Sequence, residues 1–116
     1  MEFNDHKPIY LQIADTVCDK ILSGEWNAED RVPSVRELGM TLGVNPNTIM
    51  RSYEYLQTIN VIYNKRGVGY FVDPSAKDAI INQERRIFLE EELPKILNKM
   101  KLLNINPEDI FSIKIN

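Results

Sequence analysis

The chain has 116 residues, 43% hydrophobic and 27% charged, a balance that excludes intrinsic disorder and fits one small soluble domain or a smaller domain with an appendage. A single cysteine, Cys18, excludes an internal disulfide and a cysteine metal cluster and reads as a small buried apolar residue; the lone histidine, His6, reads as a solvated side chain. No apolar run approaches about 18 residues, and Met1 to Asp5 lacks the basic and apolar regions of a signal peptide, so the expectation is a cytoplasmic protein with no membrane partner.

The first predicted element is a helix from Ile9 to Ser23. Pro8 stands at its start, where a missing N–H costs little. Ile9, Ile13, Val17 and Ile21 recur every four residues with Leu22 beside them, and Gly24 supplies the stop. Glu25 to Pro33, including Trp26, has no periodicity and reads as a connector. Ser34 and Glu37 form a capping-box pair that opens a short second helix, about Val35 to Leu42, with Val35, Leu38 and Leu42 inward and Gly43 at its end. Asn45-Pro46 opens a third helix reaching about Thr58, with Ile49, Tyr53 and Leu56 facing the core and Asn60 closing it in the left-handed conformation. The turn Gly43-Val44-Asn45 between the second and third helices has the length of a helix-turn-helix.

Val61 to Asn64 and Tyr70 to Val72 are β-rich runs joined by Lys65-Arg66-Gly67-Val68-Gly69, which predicts a hairpin with a basic tip, that is, a wing. Asp73-Pro74-Ser75 marks the boundary between residues 1–75 and 76–116. Beyond it, Lys77 to Leu103 reads as mostly helical. Leu89, Leu93, Ile96, Met100 and Leu103 make a heptad-like seam, extended upstream by Ile80, Ile81, Ile87 and Phe88. Pro94 should kink or divide this helix. Asn106-Pro107 reads as one more helix start, with Ile110, Phe111 and Ile113 as a last apolar cluster. The fold class expected is α+β, mainly α: a winged helix-turn-helix domain followed by a short helical tail.

The sequence has no nucleophile elbow, GxGxxG, Walker A, HExxH or CxxC motif. Glu90-Glu91-Glu92 resembles a metal site only in composition, since consecutive helical residues point about 100° apart and cannot chelate one ion. The expectation is a protein that is not an enzyme, with no cofactor and no metal.

The net charge of −3 disfavours nucleic acid, yet the charge is unevenly placed. Met1 to Asp30 sums to −5, whereas Arg31 to Val72 sums to +3 through Arg31, Arg36, Arg51, Lys65 and Arg66 against Glu37 and Glu54. A basic segment on an acidic body can face DNA while the rest faces away. The third helix begins with Asn45, Asn47 and Thr48, with Arg51 one turn on, side chains suited to adenine, guanine, phosphate or a thymine methyl. Arg36 stands in the first turn of the helix before. Lys65, Arg66 and Gly67 form a tip that suits a minor groove or a phosphate. Taken singly, each of these is an ordinary solvated polar side chain, and Asn45 a plain N-cap; their gathering on one helix-turn-helix favours DNA.

The stretches PIYLQIADTVCDKILSGEW, RVPSVREL, LGVNPNTIMRSYEYL and RGVGYFV, spanning Pro8 to Val72, resemble the GntR family of transcription regulators. The resemblance implies a winged-helix DNA-binding domain and a dimer on a palindromic operator. The family's PSxRE arginine maps to Arg36, its polar recognition residues to Asn45, Asn47 and Thr48, and its wing contact to Arg66 and Gly67. Arg51 lies beside a family arginine position, which Met50 occupies, and Asn60 stands where a glycine is usual. The remaining residues, 76–116, resemble the short helical dimerisation tail of the YtrA-type subfamily, whose members often regulate transporter operons.

The expected function is therefore a sequence-specific, homodimeric repressor that binds double-stranded DNA through the third helix and the wing. Phe88, Leu89, Leu93, Ile96, Leu97 and Met100 would bury against the partner copy. A tail of about 41 residues is too short to enclose a pocket of several hundred Å³ alone, which leaves a small-molecule effector open, with a pocket between subunits as the alternative. The competing function is a winged-helix protein-interaction module that does not bind DNA.

Overall fold

The computed structural model describes residues 7–112; His6, the segment Met1 to Asp5 and Ile113 lie outside the described residues. Helices α1 (Ile9–Leu22), α2 (Val35–Leu42) and α3 (Pro46–Thr58) are followed by an antiparallel hairpin of β1 (Ile62–Lys65) and β2 (Gly69–Val72). Then come α4 (Ala76–Ile87), a π-helical turn (Phe88–Glu92), α5 (Leu93–Leu102) and a 3₁₀ segment (Pro107–Ser112). The chain packs as two compact units, one reaching to Ile81 and the other beginning at Asn82.

In the first unit the apolar periodicity does its work on three helices at once. Ile13, Val17 and Ile21 of α1 meet Leu38 of α2 and Ile49, Tyr53 and Leu56 of α3 in one buried cluster. Burying side chains of this size away from water contributes about 1.5–3 kcal/mol each before the entropy of ordering is set against it. Ile9 and Leu22, expected on the same inward stripe, are instead 46% and 42% exposed. They occupy the first and last turns of α1, where the core has already ended. Cys18, expected to be buried, is half-buried against the cluster.

The connector is more ordered than its composition suggests. Arg31 forms an antiparallel bridge with Phe71, Val32 N–H donates to the Tyr70 carbonyl at 2.9 Å, and Val72 N–H donates to the Asp30 carbonyl at 2.9 Å. Val32 is thereby driven into the core. The pairing is too short to carry a readable alternation, and its partner lies about 40 residues away, so no local sequence signal announces it.

Local chemistry sets the helix ends. Ser34 Oγ accepts from Glu37 N–H at 3.0 Å, and Glu37 Oε1 accepts from Ser34 N–H at 3.1 Å, completing the capping box. The Ser34 backbone and then its hydroxyl, with Arg31 adding its charge, hold the Glu37 carboxyl below the ordinary carboxylate range. Between α2 and α3 the chain turns so tightly that a Cβ on Gly39 would stand 2.8 Å from the Val44 carbonyl oxygen. Val44 N–H closes the turn on the Gly39 carbonyl at 2.9 Å, and Gly43 takes the left-handed conformation at φ 67°. Gly39 is thus where the helix-turn-helix makes its closest backbone approach, although the sequence shows it only as a glycine inside a helix.

In the tail unit the helical run continues past Pro94, expected to kink or divide it, and accommodates the proline through the π-helical turn just before it. Proline has no N–H to return to the preceding turn, and the chain widens just upstream, with Leu93 N–H donating to the Phe88 carbonyl five residues back. The seam that reads as continuous from Leu89 to Leu103 therefore crosses a change of helical pitch. Among the described residues no helix is long and apolar enough to cross a membrane.

Two outcomes follow for stability. Gly39→Ala gains about 1 kcal/mol of helix propensity but meets a backbone oxygen that cannot rotate away. The expected net effect is a loss of about 1–2 kcal/mol, read as a lower urea midpoint at fixed protein concentration; an unchanged or higher midpoint would show that the turn has slack. The capping box also couples to pH. Glu37 has a lowered folded-state pKa, so its contribution is present above the ordinary carboxylate value and lost as pH falls through the lowered one. Glu37→Gln should accordingly flatten the acid side of the stability profile, measured by urea midpoints from neutral pH downward, with little change in slope near neutrality.

Candidate nucleic-acid interface

Helix α3 is held by its buried side and leaves its opposite side open. Ile49, Ser52, Tyr53 and Leu56 are buried, whereas Asn45, Asn47, Met50, Arg51 and Glu54 are exposed. Ser52 Oγ donates to the Tyr10 carbonyl of α1 at 2.7 Å, and Tyr53 OH donates to the Pro33 carbonyl at 2.7 Å. Burial first, and then the neighbouring Tyr70 and Glu37, push the Tyr53 phenol far above its ordinary value, so it stays a neutral donor. These adjacent residues orient α3 against α1 and against the segment entering α2.

The N-terminal half of α3 carries the predicted recognition residues. Asn45 is the N-cap, its Oδ1 accepting from Asn47 N–H at 2.8 Å. That oxygen is committed to the backbone, and the side-chain amide NH₂ remains as its donor. Asn47 is exposed, Thr48 is half-buried, and the first turn holds no acidic residue. Arg51 is exposed, with its guanidinium carbon 4.1 Å from the centre of the Tyr10 ring. Arg36 is exposed on α2, one residue before the Glu37 of the capping box, which fixes the turn that carries it.

The wing differs in one respect from its sequence pattern. Lys65, expected in the turn, is the last residue of β1 and pairs with Gly69. The turn itself is Arg66-Gly67-Val68, closed by Val68 N–H on the Lys65 carbonyl at 2.9 Å. The reason is Gly67 at φ 78° and Gly69 at φ 146°, which let the chain reverse in three residues and resume pairing at once. The Lys65 ammonium lies 5.5 Å from the centre of the Phe71 ring, on the flank of the hairpin, while Arg66 and Gly67 form the tip.

Aromatic residues connect the wing to α3. The Tyr53 and Tyr70 rings meet edge to face at 5.0 Å, and Tyr70 OH approaches Met50 Sδ at 3.7 Å. On the other face Tyr63 stacks on Phe71 at 5.8 Å and donates its hydroxyl to Glu29, a bond that raises the Tyr63 phenol above its ordinary value. Two residues gain a place here that sequence reasoning did not give them. Arg31 lays its guanidinium over Gly69, its Nε 3.1 Å from where a Cβ would stand, bringing another cation beside the tip of the wing. Tyr10, on the first turn of α1, is the platform for Arg51. The signal available for Arg31 was the glycine at position 69; for Tyr10 there was none, because its partner is 41 positions away.

Among the described residues no group of histidine, cysteine or acidic side chains is arranged to hold a metal ion, and Glu90, Glu91 and Glu92 are all exposed. The arrangement offers hydrogen-bond donors, cations and a narrow tip.

The comparisons with known proteins agree with this geometry. The family model described as bacterial regulatory proteins, gntR family, matches residues 9–72. The HTH-type transcriptional regulator YhcF of Bacillus subtilis (strain 168) is 34% identical over 109 residues, covering 94% of this chain and 88% of that protein. The HTH-type transcriptional repressor YtrA of the same organism is 31% identical over 90 residues, covering 78% of this chain and 68% of its own length. A solved structure of a transcriptional regulator of GntR family from Bacteroides thetaiotaomicron superposes with a TM-score of 0.81 at 48% identity, covering 90% of this chain and 91% of that one. With a three-helix core, a paired hairpin and a family match over more than half its length, the chain belongs to the GntR family of bacterial regulatory proteins.

Proposed function

We propose that the chain is a homodimeric transcription repressor that binds a palindromic operator in the cytoplasm, with residues 1–75 as the DNA-binding part and residues 76–116 as the dimerisation tail. The observation that carries this reading is the open side of α3: a donor-rich, acid-free N-terminal half carrying Asn47, Thr48 and Arg51, held by Ser52 and Tyr53 on its buried side. That half enters the major groove. Asn45 contributes its free amide, Arg36 reaches the groove edge from α2, and Arg66 and Gly67 grip the minor groove or a phosphate. Lys65, on the flank of the wing, adds a phosphate contact.

The tail supports dimerisation. Phe88, Leu89, Ile96 and Leu97 are 43–54% exposed in the single chain, and Leu93 is half-buried. This is a concentration of large apolar surface that a second copy would cover. Met100 is already buried in its own chain and would support the interface from behind. Two copies related by a two-fold axis present two recognition helices to half-sites about 34 Å, or a near multiple, apart. The similarity to YtrA, a repressor, supports the direction of regulation.

The net charge of −3 favours one competing function, a protein-interaction module. Affinity for bulk DNA separates the two: it falls steeply with salt for a DNA-binding protein and is absent for the module.

Selection from a random duplex library with the purified chain at physiological salt tests the reading. Recovery of a two-fold symmetric motif is expected; a folded, dimeric protein that recovers none overturns it. Given such a motif, Arg36→Ala should weaken operator binding by about 1–3 kcal/mol and scrambled DNA by less, in a titration of both duplexes; equal losses would make Arg36 a phosphate clamp. Leu93→Asp should sediment as a monomer, whereas a dimeric variant would move the interface off this face.

A further inference from the structure

We propose that Tyr10 is a positioning residue for DNA binding: its ring holds the Arg51 guanidinium against α1, at the flank of the recognition helix, so that Arg51 meets the phosphate backbone and not a base edge. The inference rests on the DNA-binding reading above and assigns a role to a residue outside the helix-turn-helix.

The geometry has three parts. The Arg51 guanidinium carbon stands 4.1 Å from the Tyr10 ring centre, a close cation–π distance. Tyr55 backs the ring, meeting it edge to face at 6.4 Å with planes 79° apart. The backbone beneath it is pinned as well, since the buried Ser52 hydroxyl donates to the Tyr10 carbonyl at 2.7 Å. Arg51 and Ser52 are adjacent, so α3 grips Tyr10 by ring and by carbonyl from consecutive residues.

A guanidinium stacked by its face keeps its in-plane N–H donors, and these form the planar fork that matches two phosphate oxygens. Among the described residues no carboxylate pairs with Arg51, so its charge is available to an external anion. Its direction matters equally. Tyr10 belongs to the first turn of α1, outside the helix-turn-helix of α2 and α3, so an arginine held on its ring is drawn away from the N-terminal residues of α3 that face the base edges. An arginine drawn toward α1 leans to the groove wall. Unstacked, the same side chain would sample many rotamers, and part of its binding would be lost in ordering it.

The experiment measures affinity of the full chain for its selected operator and for a scrambled duplex of equal length, over a range of salt, with folding checked by circular dichroism. The variants are Y10F, Y10L, R51Q and the Y10L/R51Q double. The expected results are these. Y10L weakens both duplexes equally, by about three- to tenfold, and makes the salt dependence shallower. Y10F, which keeps the ring, behaves as the unsubstituted chain. R51Q lowers the salt slope by about 0.9 on both duplexes, and Y10L adds nothing in the R51Q background. The proposal is overturned if Y10L costs as much without Arg51, if Y10F is as weak as Y10L, or if the losses fall on the operator alone. Should Y10L fail to fold, R51Q decides: an unchanged salt slope removes Arg51 from the phosphates and overturns the proposal. Failure of the unsubstituted chain to bind either duplex would overturn the DNA-binding reading itself and this inference with it, whereas operator binding without the Tyr10 effects overturns the inference alone.

Discussion

Two adjacent side chains on the hidden side of α3 govern what its open side can do. Ser52 and Tyr53 each place a hydroxyl on a backbone carbonyl of another element, Tyr10 in α1 and Pro33 before α2, at 2.7 Å in both cases. Apolar burial alone would hold α3 in the core but leave its rotation and axial position loose, since dispersion contacts are non-directional. A buried hydroxyl bond is directional, and breaking it strands a polar group at a cost of about 1–3 kcal/mol. Registering α3 in this way is what turns a row of exposed polar residues into a surface of defined shape. The same Tyr53 ring also meets Tyr70, so the position of the wing follows from the position of α3.

Electrostatics is organised by segment and not by the molecule as a whole. An overall charge of −3 would repel a polyanion at long range, but screening confines exposed charges to about 8–10 Å at ordinary salt. On the proposed reading, what a groove would meet is then the local set: Arg36, Arg51, Arg66 and the Arg31 guanidinium brought over Gly69. Glu37 is the acid within this stretch closest in sequence to Arg36, and the capping box holds its carboxylate on the Ser34 backbone. Lys65 is laid against Phe71, which places the cationic tip of the wing on Arg66.

The tail follows a different rule. Its helices leave large apolar side chains half exposed, the surface that the proposed second copy would cover. Pro94 and the π-helical turn before it lie within one long helical run. The π-helical turn shifts the register of the apolar stripe at that point, because its residues follow a wider pitch than the α-helix on either side.

The three helices, their caps and the hairpin were all legible in the sequence, because each is written in neighbouring residues: a capping box spans four positions, a glycine stop one, an apolar stripe a few turns. The candidate recognition residues were legible for the same reason, since they belong to the first turns of helices whose starts were marked by Ser34 and Asn45-Pro46. Tertiary structure alone decided what depends on distant partners. The strand-like pairing of Arg31 and Val32 with β2, the exposure of Ile9 and Leu22, the need for glycine at position 39 and the seat of Arg51 on Tyr10 all arise where segments far apart in the chain come together. Local pattern records the conformation of a segment and the side it will bury; which atoms meet that side is settled by packing, and packing is a property of the whole chain at once.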